Sequence, residues 1–328
     1  IKKEILKKYP ESVYLPSWAV KYGQECRKFS YDIDIKPSIK WQIEEYSQWL
    51  KKEILPLLSN RTNAYEILVD LDRHEKRFLE DEEFGIFEIG YLARRITDVI
   101  DNAFVAFDLA QVLLRECEKY KDQKKLLANS GFITQEIIKK LSRDKIGQEK
   151  SIFDSLIKSK KLVLVVSEDE NIGYLLPKEN EIYPEAVETY RSNLFEKSDV
   201  LSMNTLERKV ANLIDNKESV IWWVRNIATN KDWYAIRGWK KGKIRPDFIV
   251  AKKNKNNSLE LVYIIESKGE HLIDNADTQY EKSVFDKINE TTVEALNFNL
   301  IRFKLNKDFQ FELVEQNKED LSINKFFN

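Results

Sequence analysis

Three residues stand where their types and spacing could do chemistry. Asp247 follows Arg245-Pro246 at the head of an apolar run, Phe248–Ala251. Glu266 closes a second apolar run that begins at Leu259, and Lys268 and Gly269 come directly after it. A polar connector, Lys252–Ser258, joins the two runs, so they read as a β-hairpin. In an antiparallel hairpin the start of one strand lies beside the end of the other. The two-residue strand period puts Glu266 and Lys268 on one face. Carboxylate oxygens are what a hard divalent cation takes, and such a cation neutralises a phosphate and supplies a nucleophilic water. Asp247 and Glu266 would hold it, and the main-chain carbonyl of Ser267 would add an oxygen. Lys268 would face the same water or phosphate. Pro246 has no N–H and suits a strand start. Gly269 permits close backbone approach.

Acid-x-Lys triplets are common in so charged a chain. Asp34-Ile-Lys36, Asp122-Gln-Lys124 and Asp215-Asn-Lys217 all match. Only Glu266-Ser-Lys268 follows a long apolar run with a Pro-Asp strand upstream. Glu207 is a candidate third carboxylate and tentative metal ligand. Asn204-x-x-Glu207 equally matches a helix capping box, in which the acid meets a backbone N–H. Four of the seven Trp residues, Trp222, Trp223, Trp233 and Trp239, fall in a segment also rich in Lys and Arg. Lys240, Lys241, Lys243 and Arg245 are its candidate phosphate contacts, with Lys282 and Lys287 further on. Gly238–Gly242 reads as an exposed, DNA-contacting loop, with a solvated loop as the competing explanation. Trp222 and Trp223 are adjacent on a strand, so one faces each way.

The elements that would position these groups follow from periodicity. Helices are expected over Asn204–Ile214 and Asn275–Leu296. Strands are expected at Ser219–Val224, Trp233–Arg237, Arg245–Ala251, Leu259–Glu266 and Leu300–Lys304. Upstream, Phe29–Ile35 alternates like a strand and Trp41–Leu58 looks helical. Tyr65–Leu71 reads as a short strand or helix. Phe84–Tyr120 reads as one long helix or two in succession, and Thr134–Ser142 as another. Leu162–Val166 and Ile172–Leu176 suggest a small hairpin. A domain junction is placed near residue 190.

Composition bounds the rest. Of 328 residues, 42% are apolar and 33% charged, the balance of a soluble globular chain. The net charge of −1 means that any nucleic-acid contact needs a local basic patch. Two cysteines far apart and two histidines argue against a disulfide framework, a zinc site and histidine-ligated metal. A reducing cytoplasm fits. No apolar run is long enough to span a membrane, and the charged N-terminus is no signal peptide.

Arg245-Pro-Asp-Phe-Ile-Val250 together with Ile264-Ile-Glu-Ser-Lys-Gly-Glu-His-Leu272 resembles the PD-(D/E)XK nuclease superfamily. More narrowly, it looks like the C-terminal endonuclease domain of type III restriction enzyme Res subunits and related helicase–nucleases. Met203–Ala211 and Trp223–Asn226 look like the segments that precede the motif there. The resemblance spans about residues 195–290. The element order suits an α/β core at 191–328, which the resemblance makes a restriction-endonuclease-like mixed sheet flanked by helices; the periodicity of residues 1–190 makes them a mostly α-helical domain before it. The resemblance implies Mg²⁺-dependent cleavage of double-stranded DNA, with Mn²⁺ as a possible substitute, in a restriction or phage-defence system. Asp247 and Glu266 would be metal ligands, Lys268 the residue that orients the water, and Glu207 an accessory acid. An ATP-driven motor and a methyltransferase subunit accompany such nucleases. This chain has no Gly-x-x-x-x-Gly-Lys-Ser/Thr loop and so no ATP site of that kind. The expectation is a motor upstream of Ile1, favoured by the missing initial Met, or a separate motor. The rival is a non-catalytic DNA clamp or partner-docking module on the same fold; an RNA substrate is a third reading.

Overall fold

The computed structural model describes residues 1–23, 25–60, 86–177, 187–188, 190–196, 198–199, 203–227, 233–296 and 309–328. The expected elements at Tyr65–Leu71 and Leu300–Lys304 lie outside these residues. The chain divides into two compact units, one of Ile1–Ile35 with Ile152–Asn328 and the other of Lys36–Ser151. The junction expected near residue 190 falls inside the first.

The Lys36–Ser151 unit is helical. Ile43–Trp49 starts as an α-helix, passes through a π-turn at Leu50–Ile54 and ends as a 3₁₀ stretch over Leu55–Asn60. Pro56 cannot donate to an α-helical ladder, which accounts for the change of winding there. Next come α1 (Ile86–Thr97) and α2 (Ala103–Glu118), so the long pattern is two helices. Asn102 ends the break between them by accepting the N–H groups of Phe104 and Val105, an N-cap. Then α3 runs from Ser130 to Lys158, far beyond the expected Thr134–Ser142. Leu50, Leu92, Ile96, Leu109, Leu113, Ile137 and Leu141 form one apolar core. Trp41 and Trp49 pack against it, in keeping with the general tendency of Trp to be buried.

The other unit contains two four-stranded sheets. The first has the order β7-β3-β1-β2, from β1 (Ser17–Tyr22), β2 (Glu25–Lys28), β3 (Leu162–Ser167) and β7 (Val293–Leu296). Two expectations fail here. Leu162–Ser167 makes no hairpin with the segment after it: it pairs with β1 and β7, and Tyr174–Leu175 pairs instead with Tyr14–Leu15. A strand buried along its whole length needs a partner on each edge, which a local hairpin cannot supply. Phe29–Ile35 is no strand. Asp34 accepts the backbone N–H of Ser30 at 2.8 Å and binds Arg27, closing a helical turn at Tyr31–Asp34.

The second sheet carries the candidate residues. Its order is β8-β6-β5-β4, from β4 (Val220–Arg225), β5 (Phe248–Lys253), β6 (Leu259–Lys268) and β8 (Phe309–Glu315). β4, β5 and β6 are antiparallel, and β8 joins β6 in parallel, so the sheet is mixed. α4 (Thr205–Asp215) and α6 (Glu319–Phe327) cover one face, where Val210, Ile214, Ile323 and Phe326 meet Trp223, Phe248, Val250 and Tyr263. α5 (Ala276–Glu290) covers the other, with Phe285 5.3 Å from Phe311 between ring centres. The helix expected to reach Leu296 ends at Glu290. Thr291 is extended, and the β-branched run Thr291–Val293 leads into β7. The expected strand at Trp233–Arg237 shrinks to Ile236–Arg237, paired with Lys243–Ile244. Among the described residues no helix is long and apolar enough to cross a membrane.

Candidate functional site

Phe248 pairs with Ile265 across β5 and β6. One further step of that register sets Asp247 opposite Glu266. By strand alternation Asp247, Glu266 and Lys268 share the α5 face. Their side chains meet. Lys268 Nζ lies 2.6 Å from Glu266 Oε1 and 2.7 Å from Glu281 Oε2, a carboxylate brought by α5. Asp247 Oδ2 accepts the backbone N–H of Ser267 at 2.8 Å and also its hydroxyl. Lys268 gives its own carbonyl to the N–H of Gln316 beyond β8, at 2.9 Å. Ser267, one residue earlier, therefore turns its N–H and C=O to the opposite edge. There the register offers Pro246, which has no N–H to give. The Ser267 carbonyl is thus left out of the ladder beside Asp247, as its expected ligand role needs.

Asn226 fixes the Pro-Asp corner. Its N–H donates to the carbonyl of Asp247 at 2.7 Å, and its side-chain amide to the carbonyls of Pro246 and Tyr234 at 2.7 and 2.8 Å. Asn226 is 2% exposed, so these bonds form away from water.

Glu266 is buried, and its Oε2 has no hydrogen-bond partner. Burial first, then the Asp247 carboxylate and Glu281, push its carboxyl well above the ordinary value, against the pull of Lys268. Burial also raises Asp247, where the two Ser267 donors and Lys268 pull down and the charge of Glu207 pushes up. Burial pushes the Lys268 ammonium down, but Glu266 and Glu281 more than reverse this and hold it above its ordinary range. Two adjacent acids that both resist ionisation form a site short of positive charge. A divalent cation between them would supply that charge, so the donor set fits a hard metal. Among the described residues no three His, Cys, Asp or Glu side chains gather as a ready-made metal group. The available set is Asp247, Glu266 and the Ser267 carbonyl, and Mg²⁺ is commonly held by one or two carboxylates with waters completing its shell.

Glu207 sits on α4, which covers the opposite sheet face. Arg225 donates to its Oε2 from Nε at 3.0 Å and from Nη2 at 2.7 Å. The Asn204 amide donates to its Oε1 at 2.7 Å, and Asn204 also caps the helix by accepting the Glu207 N–H at 2.9 Å. Both carboxylate oxygens are engaged, and Glu207 acts on Asp247 by charge. The three competing triplets are employed elsewhere. Asp34 binds Arg27, Asp122 caps a short helix by accepting the Lys125 N–H, and Asp215 accepts the Trp223 indole N–H.

The basic segment is sorted by burial. Trp222, Trp223, Trp233 and Trp239 are all buried, so they are core and not a surface for bases. Trp222 and Trp223 do face opposite ways, and both faces are covered: Trp222 donates to Ser12 Oγ at 2.9 Å. In the Gly238–Gly242 loop, Trp239 packs edge-on to Tyr280 at 5.0 Å, and the exposed residues are Lys241 and Gly242. Gly238 is required there, because a Cβ would lie 2.3 Å from Val284 Cγ2. Lys240 lies over the Tyr280 ring at 4.3 Å and 3.4 Å from Asp277. Lys241, Lys243 and Lys282 are exposed, and Arg245 is half-buried. Lys282 lines the same cavity as Lys268. Lys287 is held by Asp154 at 3.1 Å.

Sequence reasoning missed Glu281, Asn226 and Arg225. Glu281 had a signal: it lies three residues after Thr278 and four before Phe285, on the buried stripe of α5, and a carboxylate on such a stripe needs a partner. Arg225 and Asn226 stood out only as part of the Trp223–Asn226 segment of the family resemblance, which assigned them no role, since their partners are not their neighbours in sequence.

No curated protein and no solved structure matches the chain. A family model does: residues 191–292 are similar to the YagJ family, a segment of less than half the chain that holds Glu207, Asp247, Glu266, Lys268 and Glu281.

Proposed function

We propose that the unit holding the second sheet is a metal-dependent nuclease that hydrolyses phosphodiester bonds in double-stranded DNA. One observation carries the reading. Asp247, Glu266 and Lys268 converge at the open end of the hairpin, and Glu266 keeps a buried oxygen without a partner. Asp247, Glu266 and the Ser267 carbonyl would hold Mg²⁺ or Mn²⁺. The metal would supply charge neutralisation at the phosphate and a more acidic bound water. Lys268 would orient the water or a phosphate oxygen, with Glu281 fixing where the ammonium points. Ser267 and Asn226 hold Asp247 in place. Glu207 serves as the partner of Arg225 and as a nearby negative charge. Lys241, Lys243, Arg245 and Lys282 would contact the DNA backbone, with Lys240 at the edge of the patch. Placement in a restriction or phage-defence system, with a motor and a methyltransferase subunit, rests on the sequence resemblance.

Asp247→Ala and Lys268→Ala should each abolish Mg²⁺-dependent nicking of a supercoiled plasmid while DNA binding by gel shift persists. A purified Lys268→Ala protein that nicks as fast as the parent would overturn the assignment.

A further inference from the structure

A second cavity is lined by none of Asp247, Glu266 and Lys268. Its volume is about 310 Å³, at the lower end of the range for small-molecule sites. Trp18, Phe29 and Trp233 form its floor and are only 3%, 6% and 3% exposed. These rings are already packed in the core, so the floor is apolar but offers no face for a flat ligand to cover. Recognition falls to the rim.

The rim is cationic. Lys28 of β2, Arg237 and Lys243 stand on it, and among the described residues no Asp or Glu lines the cavity. Lys28 and Lys243 are exposed and Arg237 is half-buried. Lys28 donates to the carbonyl of Gly173 at 3.2 Å and Arg237 to that of Lys241, so neither bond brings a negative charge. Lys243 is directly opposite Arg237 in the two-stranded ribbon, and like charges so placed destabilise a strand pair. Partial burial lowers the Lys28 ammonium and Lys243 lowers it further; burial, Arg237 and Arg245 lower Lys243. The ribbon is also held from both ends by one side chain. The Asn226 amide donates to Tyr234, two residues before the ribbon, and to Pro246, two residues after it. The fold thus holds like charges together, and an anion between them would relieve the repulsion.

The chemistry of the rim selects the anion. Lysine and arginine offer donors and no acceptor, which suits the oxygens of a phosphate. Three cations without a carboxylate match an anion of more than one charge. A backbone phosphodiester carries one charge and has chain on both sides. A phosphomonoester carries about −1.5 to −2 at neutral pH and can enter a cavity end-on. We infer that this rim binds a phosphate dianion, held by Lys28, Arg237 and Lys243 over the apolar floor. The ligand has two sources, free inorganic phosphate or the phosphomonoester at the end of a nucleic-acid strand. The inference does not rest on the nuclease reading.

Isothermal titration calorimetry of the full chain at low salt in EDTA, where no metal-dependent cleavage occurs, tests it. Inorganic phosphate should bind about tenfold or more tightly than nitrate, a monoanion. Lys28→Gln and Lys243→Gln should each weaken phosphate binding about tenfold with an unchanged circular dichroism spectrum. Lys243 is exposed, so its variant keeps the test open should the Lys28 variant fold poorly. A 5′-phosphorylated single strand that binds about tenfold more tightly than its 5′-hydroxyl counterpart, in a Lys28-dependent manner, identifies a strand end as the source. Equal binding of the two strands, with phosphate binding retained, identifies the free ion. Nitrate binding as tightly as phosphate, or phosphate binding indifferent to both substitutions, would overturn the inference. So would Lys28-dependent binding of strands without any binding of inorganic phosphate, which would assign the rim to a backbone diester.

Discussion

Replacing Glu266 by Gln should stabilise the protein while destroying its metal response. Glu266 is 8% exposed and one of its oxygens has no partner. Burial, Asp247 and Glu281 raise its carboxyl well above the ordinary value of 4.5. A carboxyl raised in the folded state holds a proton that the unfolded chain has lost. Its penalty therefore starts as pH rises through 4.5 and is complete above the folded value. Gln keeps the shape and removes the charge. Lys268 is not abandoned, because Glu281 remains 2.7 Å away. The expected gain at pH 8 in EDTA is about 1–3 kcal/mol, the scale of the desolvation penalty on a buried group that lacks its partner, which is larger for an ionised group than for an amide. For a unit of this size that is roughly 2–10 °C in melting temperature. Near-UV circular dichroism reports mainly this unit, since Trp18, Trp222, Trp223, Trp233 and Trp239, five of the seven Trp residues, lie in it. The gain should shrink as pH falls toward 4.5. Saturating Mg²⁺ should stabilise the parent by about 2.7 kcal/mol at a hundredfold excess over Kd, and the variant hardly at all. A variant that melts below the parent in EDTA at pH 8, or gains equally from Mg²⁺, would refute this account of the site.

Glu281→Gln should lower the Lys268 pKa, since Glu281 is one of the groups holding it up. The alkaline limb of the pH–nicking profile should move to lower pH with DNA affinity unchanged; an unmoved limb would remove Glu281 from the mechanism. Asn226→Ala leaves the carbonyls of Pro246 and Tyr234 without their amide donor. It should cost about 2–4 kcal/mol in urea denaturation and slow nicking more than it weakens DNA binding. A loss under about 0.5 kcal/mol, typical of an indifferent surface change, would show that the corner is held by other contacts.

The hairpin was legible because every signal in it is local. Alternation, the polar connector and Pro246 lie within one short stretch, and the two-residue period alone puts Glu266 and Lys268 on one face. Adjacent Trp222 and Trp223 fixed their opposite directions for the same reason. Burial was not legible. Trp233 and Trp239 sit among lysines in a segment that reads as surface, and only Tyr280, Phe153 and Phe195 arriving from elsewhere make them core.

Strand partners divide in the same way. β5 and β6 pair through a short loop, so their pairing follows from order along the chain. β3 pairs with β1 and β7, more than a hundred residues away on either side, and no local pattern encodes that. The sequence by itself determined which residues at Ile244–Gly269 could bind a cation, because chemistry and period are properties of neighbours. Tertiary structure decided their surroundings. It brought Glu281 to Lys268, tied Glu207 to Arg225 on the far face, and buried Glu266 with an oxygen unpaired. Each of these depends on helices folding back onto the sheet, where desolvation and charge are set by what packs there and not by the adjacent residues.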